Sequence, residues 1–106
     1  MNCGPPAGLK PGDKGNCWAQ PKYNVWKVTE YGGVAGAERM KAEIYARGPI
    51  SCGIHSDGAF KEYTGGIFSQ SIPSPKINHI VAVVGWGKEN GVEYWICRNS
   101  WGTYWG

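Results

Sequence analysis

Residues 78–102 read Asn78-His79-Ile80-Val81-Ala82-Val83-Val84-Gly85-Trp86-Gly87, then Lys88-Glu89-Asn90-Gly91, then Val92-Glu93-Tyr94-Trp95-Ile96-Cys97-Arg98-Asn99-Ser100-Trp101-Gly102. Residues 80–84 are an unbroken run of Ile, Val and Ala, and residues 92–97 are rich in Val, Tyr, Trp and Ile. Asn90-Gly91 between them is a strong two-residue hairpin signal. The stretch therefore reads as two antiparallel strands, with His79 opening the first and Asn99 closing the second.

Register decides whether those two polar side chains can meet. A tight Asn90-Gly91 turn pairs Glu89 with Val92 and sets Asn99 opposite Ala82, so His79 and Asn99 project from opposite faces, because side chains alternate with period two. A loop of Lys88-Glu89-Asn90 instead brings His79 opposite Asn99, within side-chain hydrogen-bonding reach. A bulge at Gly85 or Gly87 changes the parity in the same way. One of these devices is expected.

Outward from the hairpin, residues 37–47 carry the one good helical pattern, with Ala37, Met40, Lys41, Ile44 and Tyr45 at helical spacing. Gly48 and Pro49 stop it. Glu38 and Arg47 suit the two ends of its dipole. Ile50–Ile54 reads as a short strand, and Asp57–Tyr63 as a helical turn with Asp57 available as its cap. Tyr23–Tyr31 alternates like a strand, and Ile67-Phe68 follows a Gly65-Gly66 turn. Residues 71–75 form a loop with Pro73 and Pro75. Residues 1–22 read as a Gly/Pro-rich loop, and residues 23–106 as the β-rich part. One helix among antiparallel strands argues for an α+β class.

Composition bounds the function. With 42% apolar and 18% charged residues, the chain is neither disordered nor membrane-spanning. The net charge of +3 comes without a Lys/Arg cluster, so no nucleic-acid footprint is present. Cys3, Cys17, Cys52 and Cys97 lack zinc spacing, which argues against a metal site. Their even number fits a disulfide-bearing, lysosomal or secreted protein. A Cys3–Cys17 bridge would close the first loop and contribute about 3 kcal/mol in the chain-entropy model; pairing of Cys3 with a residue further upstream is the alternative. No apolar leader follows Met1; the initial Met1 favours a self-contained reading frame, and the end just after a strand-like motif favours a fragment, so both readings stay open here.

The words Asn78-His79-Ile80-Val81 and Asn99-Ser100-Trp101-Gly102 resemble those of papain-like cysteine peptidases. Residues 42–54, Ala-Glu-Ile-Tyr-Ala-Arg-Gly-Pro-Ile-Ser-Cys-Gly-Ile, and residues 63–68, Tyr-Thr-Gly-Gly-Ile-Phe, narrow the likeness to the cathepsin X group of that family. It covers about residues 17–106, and its specificity comes from several motifs in the right order. It implies a partial, β-rich, barrel-like right-hand domain of the papain fold with one short helix. It implies a thiol peptidase acting on peptides or proteins, with a carboxypeptidase specificity, no cofactor, and an N-terminal helical domain of the same protein as its missing partner.

The same resemblance assigns His79 the acid/base role and Asn99 the orienting role. Trp101 would shield the pair, and Asn78 would border the substrate cleft. Cys52 would pair with a cysteine beyond this chain. Cys97 reads as a buried free thiol, Trp105 as a core aromatic and His55 as a surface residue. Each alone has a bland reading, and His79 by itself would pass for a strand-end histidine. The four words together favour the functional one.

Gly15-Asn16-Cys17-Trp18-Ala19 imitates the family's nucleophile word. It is rejected, because Gln20-Pro21 follows and proline allows no long helix there. Cys17 also precedes His79 by only 62 residues, against about 130–150 expected. The nucleophile and the oxyanion-hole Gln are therefore expected outside this chain, and the chain alone is expected to be inactive. A non-catalytic remnant serving as a binding or inhibitory module is the alternative.

Overall fold

The Asn90-Gly91 turn joins the two longest strands of the structure, a computed structural model that describes residues 21–106 together with the backbone of two short strands nearer the start. Asn90 and Gly91 both adopt positive φ, 49° and 79°. That is the backbone of a two-residue hairpin turn whose twist matches its flanking strands. Of the two devices expected to change the parity, the three-residue loop is thus not used.

The elements in chain order are β1 (Asn2–Cys3), β2 (Cys17–Trp18), α1 (Ala37–Arg47), β3 (Ile50–Ile54), α2 (Gly58–Lys61), β4 (His79–Glu89) and β5 (Val92–Arg98). The chain divides into two compact units, Met1–Gly32 and Gly33–Gly106. In the first, β1 and β2 pair antiparallel, with Cys3 and Cys17 as backbone partners. The rest of the expected loop, and the side chains that a Cys3–Cys17 disulfide would need, lie outside the described residues. Tyr23–Tyr31, expected as a strand, belongs to no sheet. Its alternation is real, but a strand needs a hydrogen-bonding neighbour, and here Trp26 stands 90% exposed.

In the second unit, β3, β4 and β5 form an antiparallel sheet in that order. The barrel-like expectation is corrected. Three described strands leave β3 and β5 as open edges, and closing a sheet takes more strands and a matching stagger. The expected helical turn over residues 57–63 is α2, with Asp57 as its N-cap. The expected Ile67-Phe68 strand is irregular.

α1 spans the residues that its pattern predicts. Its C-terminal turn closes when the Gly48 N–H donates to the Ile44 carbonyl at 2.9 Å. The apolar stripe is narrower than its spacing suggests. Ile44 is buried against the sheet side, while Tyr45 is 89% exposed. α1 lies against β3 and β4, and its Lys41 Nζ donates to Glu93 on β5 at 3.0 Å. That bond, more than the one to Glu38, holds the Lys41 ammonium above its ordinary pKa. Val81 and Val83 of β4, together with Ile44, make up the buried apolar core among the described residues. Val81 and Val83 sit on one parity of the central strand.

The ladder between β4 and β5 contains one irregularity. Glu89 pairs with Val92, Gly87 with Tyr94 and Gly85 with Ile96, yet Val83 pairs with Cys97 and Ala82 with Arg98. Val84 is thus an extra residue, a β-bulge immediately before Gly85.

Candidate active site

The bulge inverts the parity of β4 on its far side. Without it, the tight turn would set Asn99 opposite Ala82. With it, the register continues to place Asn99 beside Val81, on the face shared by His79, Val81 and Val83. His79 and Asn99 are then diagonal neighbours rather than directly opposed, a spacing that long side chains still bridge.

They do bridge it. His79 Nε2 and Asn99 Oδ1 lie 2.8 Å apart. The Ser100 N–H donates to the same Oδ1, also at 2.8 Å. This second bond fixes the carboxamide, because a flipped amide would aim an N–H₂ group at the Ser100 N–H. Oδ1 can only accept, so the proton on His79 Nε2 is the donor. Nδ1 is left as the ring atom available for proton exchange. Asn99 Nδ2 is buried and has no partner among the described residues.

Trp101 stacks on the imidazole, with ring centroids 4.7 Å apart and planes within 25°. Gly102 follows with φ 89°, a conformation open to glycine, which turns the chain after the indole. Phe60 of α2 meets Trp101 edge-on at 5.6 Å and lies 6.5 Å from His79. Trp105, read from sequence as a core aromatic, belongs to this ring cluster at 5.1 Å from Phe60. Its Nε1–H reaches the Lys61 carbonyl at 3.1 Å and the Phe60 carbonyl at 3.3 Å, at the end of α2. Beside the cluster runs a groove of about 630 Å³, bounded by Ile54, Phe60, Val81, Cys97, Asn99 and Trp105.

Asn78 faces the scaffold. Its Oδ1 accepts from the Ser56 N–H at 2.7 Å and its Nδ2 donates to the Ser56 carbonyl at 2.9 Å. Its own N–H donates to the Ile54 carbonyl at 3.1 Å. These bonds anchor the start of β4 one residue before His79. Ser56 is buried, so both of its backbone groups need these partners.

The cysteines divide as follows. Among the described residues Cys52 and Cys97 form no disulfide. Cys97, expected to be buried, is an exposed residue, because it lies on the edge strand β5. Atoms packed around its sulfur, and then the Cys52 thiol, push its pKa up. That is the opposite of nucleophile activation. Cys3 and Cys17 as side chains lie outside the described residues. Among the described residues no His/Cys/Asp/Glu group could hold a metal ion, and no helix is long and apolar enough to cross a membrane.

Sequence reading missed three supports. Phe60 reaches the His79–Trp101 stack. Gln70 Nε2 donates to Asp57 Oδ2 at 2.7 Å. His55, read as a surface residue, is partly enclosed, and its Nδ1 accepts from the Lys76 N–H at 3.0 Å. Only the Asp57 cap had a local signal, an Asp before a helical turn. The other contacts join loops far apart in sequence.

The family model for papain family cysteine proteases matches residues 8–106. A cathepsin Z of Onchocerca volvulus is 49% identical over 94 residues, covering 87% of this chain and 30% of that protein. A cathepsin L-like proteinase of Fasciola hepatica is 40% identical over 96 residues, covering 88% of this chain and 29% of that protein. A cathepsin B-like cysteine proteinase of Caenorhabditis elegans is 30% identical over 113 residues, covering 99% of this chain and 30% of that protein. The chain thus spans about 30% of the length of these relatives. With a match across nearly its whole length, the chain belongs to the papain family of cysteine proteases.

Proposed function

We propose that this chain supplies the histidine–asparagine half of a thiol peptidase centre. The observation that carries the reading is the 2.8 Å bond between His79 and Asn99 beneath the Trp101 ring. In this reading His79 Nδ1 takes the proton of a cysteine thiol, and the imidazolium so formed stabilises the thiolate. The same nitrogen later returns a proton to the leaving amine. Asn99 holds the ring in the orientation and tautomer that this requires. Trp101 keeps water off the His79–Asn99 bond, which strengthens it electrostatically. Asn78 shapes the edge of the substrate cleft by fixing the strand start.

The thiolate and the oxyanion donors come from the family's helical half, outside this chain. Cys17 is not that nucleophile, and the chain alone has no turnover. Similarity to the cathepsin X group, also called cathepsin Z, supports a carboxypeptidase that removes single residues from peptide C-termini. It also supports a lysosomal or secreted setting, with Cys52 bridged to a cysteine beyond residue 106.

The test is a chimera in which this chain replaces the matching segment of an active papain-family relative. Peptide hydrolysis is expected, with release of single C-terminal residues. His79→Ala in the chimera is expected to lower kcat/KM by about 10²–10⁴-fold. Unchanged activity in that variant would sink the assignment. Hydrolysis by the purified chain that Cys17→Ser abolishes would overturn the division of labour. Binding of the chain to an active relative without cleavage would favour a binding or inhibitory module.

A further inference from the structure

α2 has four residues, far too few to be stable alone. It is held from both ends. At its start Asp57 Oδ1 accepts from the Phe60 N–H at 3.1 Å, which is an N-cap bond. The other carboxylate oxygen accepts from Gln70 Nε2 at 2.7 Å and lies 3.9 Å from His55 Nε2. At its end Trp105 Nε1–H donates to the Lys61 and Phe60 carbonyls. The residue fixed between these anchors is Phe60. Its ring contacts Phe68, Trp101 and Trp105 at 5.5, 5.6 and 5.1 Å, and stands 6.5 Å from His79.

The geometry points to Asp57 as a positioning residue for His79, acting through the cap of α2 and the ring of Phe60. It rests on the reading of His79 and Asn99 given above. If the cap is lost, α2 frays and Phe60 leaves the edge of Trp101. The indole then has less to hold it over the imidazole. Water competes for the Nε2–H···Oδ1 bond, and the imidazole turns more freely. Asp57 touches no reacting atom in this scheme.

The experiment follows the His79 Nε2–H proton of this chain by NMR and measures its exchange with water. Asp57→Ala should speed that exchange by about fivefold, the factor corresponding to a lost N-cap. Asp57→Ser, which keeps a capping oxygen but not the charge, should stay near the parent rate. Phe60→Ala should match Asp57→Ala, and the double variant should add little to either single change. Amide exchange at Val83 reports general destabilisation and should be the same in all variants.

An unchanged rate in Asp57→Ala overturns the proposal. So does an Asp57→Ser rate equal to that of Asp57→Ala, or full additivity in the double variant. Failure of the underlying pair has a different signature, in that Asn99→Ala would leave the parent proton's exchange unaltered.

Discussion

His79 and Asn99 share one face of the hairpin because Val84 has no partner across it. The two-residue turn alone would set them on opposite faces, and the single extra residue between Val83 and Gly85 reverses that. Their 2.8 Å bond is thus a product of strand register, more than of the two residues' own chemistry.

Deletion of Val84 should leave the pair together. With the extra residue gone, Val83 still faces Cys97 and Ala82 still faces Arg98, so Asn99 stays beside Val81 on the face of His79. The part of β4 nearer the turn is what changes face. In NMR the downfield His79 N–H signal should persist. Loss of that signal from a folded variant would show that the parity argument is wrong.

Asn78→Ala should cost about 1–3 kcal/mol, because it strips both backbone groups of buried Ser56 of their partners. Chemical denaturation measures the loss. Asn78→Asp keeps one acceptor but sets a second oxygen against the Ser56 carbonyl, so it should not restore the parent stability.

Gly53→Ala tests the approach to β4 from the neighbouring strand. An added Cβ would fall 2.6 Å from Ile77 Cγ2. That methyl hangs from the branched Cβ of Ile77, two residues before His79, so turning it aside brings the other branch round. A destabilisation of about 1–3 kcal/mol is expected, with shifts in the Asn78 and His79 resonances. A silent substitution would mean that Ile77 adapts at no cost.

Asp57 should also give its cap a defined pH range. The Gln70 bond first, and the Phe60 N–H second, hold its carboxyl below the ordinary value of 3.8. A carboxylate with a depressed folded pKa contributes stability that is complete above the unfolded value. That stability is lost as pH falls through the folded value. The gap in thermal midpoint between the parent and Asp57→Ala should hold steady from about pH 7 to about pH 5. It should close only below 3.8. A gap that closes well above 3.8 would show that the Asp57 carboxylate does not set this range.

The sequence by itself determined the local elements that carry strong periodic or turn signals. Helix α1 was legible because Ala37–Arg47 has helical spacing and a Gly48-Pro49 stop. The hairpin was legible because Asn90-Gly91 supplies the positive φ its turn needs. The family was legible because its words surround His79 and Asn99. Tertiary structure decided what depends on partners. Tyr23–Tyr31 has strand alternation but joins no sheet among the described residues, and Tyr45 has helical spacing but stays exposed. The sequence offered a bulge at Gly85 or Gly87 as one of two devices; the ladder places it at Val84, immediately before Gly85. Phe60 joined the His79–Trp101 stack with support from its neighbour Asp57 and from Gln70 and Trp105, which are distant in sequence. Periodicity reports which side chains share a face. Which face is buried, and what lies against it, is settled only when separate segments pack together.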